Sequence, residues 1–260
     1  KSPSEIALIR EAGRRHSHLL ELIVPRLMQT GISEAEFLTE IYAAMIRSGH
    51  HGVSRFAMFQ MEMSIGQVGF GDSSIFPTSF DGPGGMRGLS AAVPSMGSRT
   101  RLLKRGDLVF VDVGFGIAGY HSDKTRVYSF GSPPPEQAVE AHQACLEVLH
   151  QASGMLKPGA VPSEIFRSIM QNLPPVLHQH FMGFGKERVK FLGHGVGLQI
   201  DEPPVIAHGF NQPLPEHCVI ALEPKRGIPG VGMVGVEETY LITSDGPECL
   251  TGGAKDILIV

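Results

Sequence analysis

Cysteine is scarce. Cys145, Cys218 and Cys249 are the only three in 260 residues, and they lie far apart. So sparse and odd a set builds no disulfide framework, and the expectation is a reducing compartment, the cytoplasm. Long apolar runs are missing too, so no segment reads as a transmembrane helix or the core of a signal peptide. Excess positive charge is absent. The formal net charge is −4, which argues against a nucleic-acid or anionic-membrane partner. Charged residues are slightly few, at 18%, while apolar content is an ordinary 42%. That balance belongs to a globular chain long enough to bury a large core, not to a disordered one. One more absence matters later. No histidine occurs between Gly52 and Tyr120.

The elements that are present read clearly. Ser2-Pro3-Ser4-Glu5 is a capping box with proline in the first helical turn, opening a helix directly at "KSPSEIALIREAG". That start leaves room for a further segment upstream, removed from this chain. Ile6, Ile9, Leu19, Leu20, Ile23 and Leu27 recur near helical spacing, with an interruption expected at Pro25. Ser33 to Glu36 is a second capping box, and Gly49 should end its helix. Residues 52 to 100 are rich in Gly, Ser, Met and Phe and predict strands with long irregular connections, "FDGPGGMRGLS" being the clearest loop. Helices are expected over Pro133 to Gly154 and Pro162 to Leu173, then a loop-like "PPVLHQHFMGFGKERVK" and further strands. A faint repeat is visible. "QTGISEAEF" and "KPGAVPSEIF" each join a long helix to a second helix that leads into strands. Each half would be two helices on an antiparallel sheet, with the strands of the halves facing each other.

"DLVFVDVGFGIAGYHSDKTRVYSFG" reads as a buried hairpin that carries two aspartates. With Ile117 and Ala118 at the turn, Asp112 and Asp123 fall directly opposite, about 5 Å apart at Cβ. Burying two like charges side by side calls for a shared proton or bound cations. The alternatives are a shifted register that sends one aspartate to solvent, or a surface pair of Asp123 with Arg126. Further on, "VIALEP" places Glu223 in an apolar strand run, and "VGVEETYLIT" places Glu237 in the next. The intervening "KRGIPGVG" suggests a second hairpin, again with facing carboxylates. Alternation does not decide between Glu237 and its neighbour Glu238. His194 stands in "GHGVG", where the glycines leave room for close approach to the imidazole and no helix or strand face is evident to bury it. Four carboxylates and one imidazole without a thiolate suit a divalent pair such as Mn, Fe, Co or Zn.

These residues in this order resemble the pita-bread metallopeptidases, the family of methionine aminopeptidase, aminopeptidase P, prolidase and creatinase. The pattern is Asp-x10-Asp, Gly-His-Gly-x-Gly, Glu-Pro and Glu-Glu-Thr. "GYHSDKTR" matches the family's G-Y-x-x-D-x-T-R and "SDGPECLT" its final T-x-x-G-x-x-x-L-T. The likeness runs from "EIALIREAG" to the C-terminus. It implies an α/β (α+β) pita-bread fold, two pseudo-symmetric halves of helices on a curved antiparallel sheet, with residues 1–260 as one catalytic domain. It implies that Asp112, Asp123, His194, Glu223 and Glu237 are the metal ligands, and it selects Glu237 over Glu238. Asp112 would chelate one ion, Asp123 and Glu237 would bridge both, and His194 with Glu223 would hold the other. Two divalent ions are implied, manganese foremost, with Co, Fe or Zn as alternatives. The chemistry implied is hydrolysis of an N-terminal peptide bond by a hydroxide between the metals, with Glu223 as catalytic proton carrier. The substrate would be a peptide or small molecule, and the family leaves room for a homodimer.

The residues expected around the ligands depart from the family. Its peptidases carry a histidine some 18 residues before the first ligand aspartate, where this chain has "AAVPSMGS" and Ser95 is the nearest match. The histidines four before and seven after the ligand histidine are Lys190 and Asp201, and the arginine two before the last ligand glutamate is Gly235. Either His121, His178 or His180 substitutes, or the substrate is not an ordinary peptide. Three functions compete on this basis: an Xaa-Pro aminopeptidase or dipeptidase, a creatinase-like hydrolase of a small-molecule C–N bond, and a non-catalytic binding module.

Overall fold

The computed structural model describes residues 1–58, 61–78 and 82–260. The first two residues of the expected loop "FDGPGGMRGLS", Phe80 and Asp81, lie outside them. Helix α1 (Pro3–His18) starts at the Ser2 capping box, with Glu5 closing it. Pro25 does not break the helix. A π-helical turn, Leu19–Ile23, absorbs the hydrogen bond that proline cannot donate, and α2 (Val24–Leu27) carries on. α3 (Glu34–Arg47) begins at Ser33, whose hydroxyl accepts from the Glu36 N–H. Two short strands follow, β1 (Ser54–Arg55) and β2 (Glu62–Met63), then β3 (Gln67–Phe70) and a 3-10 turn, Gly71–Ile75. The central hairpin is β4 (Leu108–Ile117) and β5 (Tyr120–Ser129).

The second half repeats the order. α4 spans Glu136–Gly154 and α5 spans Pro162–Gln171. Both are shorter than expected: Pro135 before α4 is extended, at φ −58° and ψ 144°, and α5 ends where Asn172 leaves the helical region, at φ −112° and ψ 21°. Within the expected loop after α5 lie a 3-10 turn (Pro175–Leu177) and a small pair, β6 (Gly183–Phe184) and β7 (Glu187–Arg188). Then come β8 (Phe191–Gly195), β9 (Glu202–Ala207), β10 (Val219–Leu222), β11 (Lys225–Ile228), β12 (Gly232–Gly235), β13 (Glu238–Thr243), β14 (Gly246–Cys249) and β15 (Leu258–Ile259).

One sheet has the order β15-β5-β4-β3 and the other β14-β13-β10-β8-β9, with β11 and β12 forming a separate ribbon. All these pairings are antiparallel except β15 on β5. The alternation along β4 explains the layering. Val109, Val111, Val113 and Phe115 pack on the helix side with Leu19, Leu20, Phe37 and Ile41. Leu192, Ile220 and Leu222 of the second sheet pack likewise against Leu149 and Ile165. α1 crosses both sheets, since Ile6 and Ile9 meet Val219, Ala221 and Leu241. Apolar burial on this scale supplies most of the folding free energy. The opposite faces of the strands are left to meet each other.

The hairpin register differs from the expected one. Ala118 (φ +49°) and Gly119 (φ +94°) form the turn, so Asp112 lies opposite Thr125 and Asp123 opposite Gly114. A two-residue turn that matches strand twist needs positive φ at both positions, and glycine takes the second at the least cost. The shift moves each aspartate by a full residue pair but keeps both on the same face, as diagonal neighbours.

Candidate metal centre

The site forms where strands change sheets. Leu222 pairs with Glu238 in the large sheet, and Lys225 pairs with Gly235 in the ribbon. Glu223 and Glu237 fall between these two ladders and continue their register, so they face each other. The expectation that both sit inside strands is corrected, because each occupies the gap at which its chain passes from sheet to ribbon. The Glu223 N–H is satisfied by the Leu192 carbonyl at 3.0 Å, and Val236 N–H by that of Pro224 at 3.1 Å.

His194 also has a strand face, contrary to expectation. It lies in β8, paired with Ala221 on one side and Val205 on the other. A Cβ on Gly193 would stand 2.1 Å from the Ala221 carbonyl oxygen, so the glycines make room for the neighbouring strands.

All five expected residues converge. His194 Nε2 lies 3.5 Å from Glu223 Oε1, 3.8 Å from Glu237 Oε1 and 4.0 Å from Asp123 Oδ2. These spans are too long for hydrogen bonds. His194 Nδ1 donates to the Gly195 carbonyl at 3.2 Å, which leaves the Nε2 lone pair aimed at three carboxylate oxygens. Glu237 Oε1 is buried without a hydrogen-bond partner. Buried lone pairs converging on one point call for a cation, a proton or a water among them, and this donor set of one imidazole and carboxylates suits a cation. The Asp123, His194 and Glu237 atoms lie within 4.8 Å of one another, so this group fits a divalent ion, with Glu223 beside it.

The companion group, Asp112, Glu223 and Glu237, already holds a cation. Lys225 is fully buried, and its Nζ donates to Asp112 Oδ2 at 2.9 Å, Glu223 Oε2 at 2.8 Å and Glu237 Oε2 at 2.7 Å. Burial alone would lower the lysine pKa, but the three carboxylates outweigh it and hold the ammonium well above the usual lysine range. Burial, then the charges of Glu237 and Asp112, push the Asp123 carboxyl well up. Burial likewise raises Glu237 to about 8, against the opposing pull of Lys225.

Two threonines tie the halves together here. Thr125 Oγ1 donates to Glu237 Oε2 at 2.9 Å, while Thr239 Oγ1 both accepts from the Asp123 N–H and donates to its carbonyl, each at 2.8 Å. Glu238 points the other way and pairs with Lys124.

A cavity of about 290 Å³ opens over the cluster. Its apolar walls include Phe56, Met63, Phe191, Ile200, Val205 and Phe210, and Asp201 also lines it. None of the proposed substitutes for the absent histidines lines it. His121 is buried against His51 and the Gly197 carbonyl. His178 binds the Leu173 carbonyl, and His180 accepts from the Gly185 N–H beside Phe184. Ser95 and Lys190 are not among the lining residues either. Lys225 went unnoticed in the sequence; its only signal there was a lysine two residues beyond Glu223, at the end of the apolar run "VIALEPK".

Residues 7–244 match the model of metallopeptidase family M24. The chain belongs to this family. Over 174 residues it is 36% identical to the Xaa-Pro dipeptidase of Pyrococcus furiosus, covering 66% of this chain and 47% of that protein. It is 28% identical to the putative dipeptidase YkvY of Bacillus subtilis, over 100% of this chain and 62% of the relative. The crystal structure of the X-Pro aminopeptidase from Thermotoga maritima superposes with a TM-score of 0.77 at 25% identity, over 100% of this chain and 64% of that one. The M24 chain therefore has the pita-bread fold, and it spans less than two thirds of the length of these relatives.

Proposed function

We propose that residues 1–260 form the catalytic domain of a metal-dependent hydrolase that cleaves the N-terminal bond of short peptides, of the Xaa-Pro aminopeptidase or dipeptidase kind. The observation that carries this is the cavity, which sets apolar walls directly beside His194, Asp123, Glu223 and Glu237. The names of the relatives support it. A divalent ion, manganese foremost, would be held by Asp123, His194 and Glu237 with Glu223, and would supply Lewis acidity toward the scissile carbonyl. The chain's own residues do the rest. Phe56, Phe191 and Phe210 exclude water and suit a proline ring. Glu223 turns Oε1 toward His194 while Lys225 holds Oε2, and Oε1 is the oxygen placed on the cavity side to carry a proton to the leaving nitrogen. Thr125 and Thr239 fix Glu237 and Asp123.

Among the described residues, no lysine or arginine lines the cavity, while Asp201 does. That wall suits a free amino group better than a free carboxylate, and it favours an aminopeptidase over a dipeptidase. It equally supports a second reading, a small amide substrate with a C–N bond to break. The unpaired cysteines support a cytoplasmic setting, and no described helix is long and apolar enough to cross a membrane. The test is a hydrolysis screen of Xaa-Pro dipeptides, Xaa-Pro tripeptides and small amides, with Mn or Co present. Tripeptide turnover is expected to exceed dipeptide turnover. Absence of any peptide turnover with either metal would sink the peptide reading.

A further inference from the structure

We propose that Lys225 replaces one of the two metal ions, so that this chain holds a single divalent cation, at Asp123, His194 and Glu237 with Glu223 beside them. The inference rests on the reading of the cluster as a metal centre and changes its stoichiometry.

Three observations converge on it. The first is coordination. An ammonium has three protons to donate, and Lys225 gives one each to Asp112, Glu223 and Glu237 at 2.7 to 2.9 Å. Those three carboxylates are the whole of one candidate ion group. A second ion could enter only by displacing an ammonium whose donors are all satisfied and which has no exposed surface. The second observation is the contrast with the other group. There the Nε2 of His194 and the orphaned Glu237 Oε1 face a point that no protein cation fills. The cluster thus has one occupied cation position and one unmet one.

The third is the fit of the surroundings. Lys225 stands opposite Gly235 in the ribbon. A Cβ at Gly235 would lie 2.4 Å from the Pro224 carbonyl oxygen, 2.6 Å from Lys225 Cα and 3.0 Å from Lys225 Cγ, and Gly235 has φ +131°. Glycine there lets the two strands of the ribbon close and leaves room for the first part of the lysine stem, whose Nζ lies 5.9 Å from the centre of the Phe110 ring.

The experiment measures metal bound per chain after loading with excess Mn²⁺ and desalting, by elemental analysis, together with the electron paramagnetic resonance spectrum. The expected result for the unmodified chain is one equivalent, with the spectrum of an isolated Mn²⁺. Lys225→Ala should raise this to two equivalents with a spin-coupled spectrum. Lys225→Met, which keeps the stem and loses the charge, should stay folded by circular dichroism and lose the donors that fill the Asp112 side. It too should exceed one equivalent. Two equivalents in the unmodified chain would overturn the replacement while leaving the metal-centre reading intact. Zero equivalents would overturn that reading itself and the replacement with it. Folded Lys225→Ala and Lys225→Met variants that stay at one equivalent would also overturn the replacement.

Discussion

Lys124 and Glu238 form an ion pair with both side chains buried, each one residue along the chain from a member of the metal cluster. Strand alternation does this. Asp123 and Glu237 turn to the cavity, and their neighbours turn to the side covered by α1. Glu238 is satisfied further by Thr251 Oγ1 at 2.5 Å. Removing one partner strands a buried charge, which typically costs about 3–5 kcal/mol. Lys124→Met should therefore destabilise by that order in chemical denaturation. The double variant with Glu238→Leu should recover a large part of the loss. A double variant no more stable than Lys124→Met would show that the pair is not an isolated charge couple.

Glu34 should be nearly as sensitive, although it lies away from the cavity. It is buried in the first turn of α3, and its carboxylate accepts from the Phe70 N–H at 2.8 Å, Ser73 Oγ at 3.0 Å and the Ser98 N–H at 3.1 Å. Burial raises its pKa and these bonds partly offset the rise. It pins the loop before β4 to the helix layer. Glu34→Ala leaves three buried donors unpaired, at a total cost of about 3 kcal/mol or more. The expected outcome is a lowered thermal midpoint with unchanged metal stoichiometry. A midpoint within a degree of the parent would contradict this account.

The sequence and the structure agree most where chemistry narrows the choice. Buried carboxylates are so costly that Asp112, Asp123 and Glu223 stood out in apolar strand runs, but it was the family resemblance that joined them to His194 and chose Glu237. The capping boxes at Ser2 and Ser33 marked helix starts for a similarly local reason. The hairpin register was not legible, because Ile117-Ala118 and Ala118-Gly119 are both two-residue turns and only the φ preference of Gly119 separates them. Glu237 and Glu238 could not be ranked by alternation either, since the chain switches sheets between Gly235 and Glu238. Lys225 was missed because a lysine in a strand usually reads as a solvated edge. Its burial depends on three carboxylates brought from far along the chain.

Acid should destabilise the protein through its histidines. His50 and His142 are held at about 4, chiefly by burial, His16 well below the usual range, and His51 and His121 lowered, again mainly by burial. Each is neutral in the folded state where the unfolded chain would take up a proton. A depressed histidine leaves stability intact above the unfolded pKa of about 6.5 and erodes it as pH falls toward the folded value. In metal-free buffer the raised carboxyls of Asp123 and Glu237 work in the opposite direction, but the five histidines outnumber them, so the thermal midpoint should drop from pH 6.5 to pH 4. His142→Gln should soften the drop, since His142 accepts from the Gly235 N–H and donates to the Lys255 carbonyl. A drop as steep in His142→Gln as in the parent would mean that His142 does not contribute as described.

His194 and Asp112 should respond differently to substitution, because only one of them faces the unmet cation position. His194→Ala removes the sole imidazole of the cluster. Its metal affinity should fall by more than the ~10–100-fold that follows loss of an outer-shell partner. Without metal the variant should melt close to the parent, since His194 makes one side-chain hydrogen bond, to the next residue's carbonyl. With metal at about 100 times the parent's dissociation constant, the parent should gain about 2.7 kcal/mol and the variant nearly nothing. Asp112→Asn touches the Lys225 side instead. It keeps an acceptor oxygen for Nζ and should retain most of the metal-induced stabilisation. Calorimetric titration of both variants alongside melting curves with and without Mn²⁺ checks this. Equal loss of affinity in the two would mean that the ammonium and the metal share one position, and that the cluster is not divided as its geometry indicates.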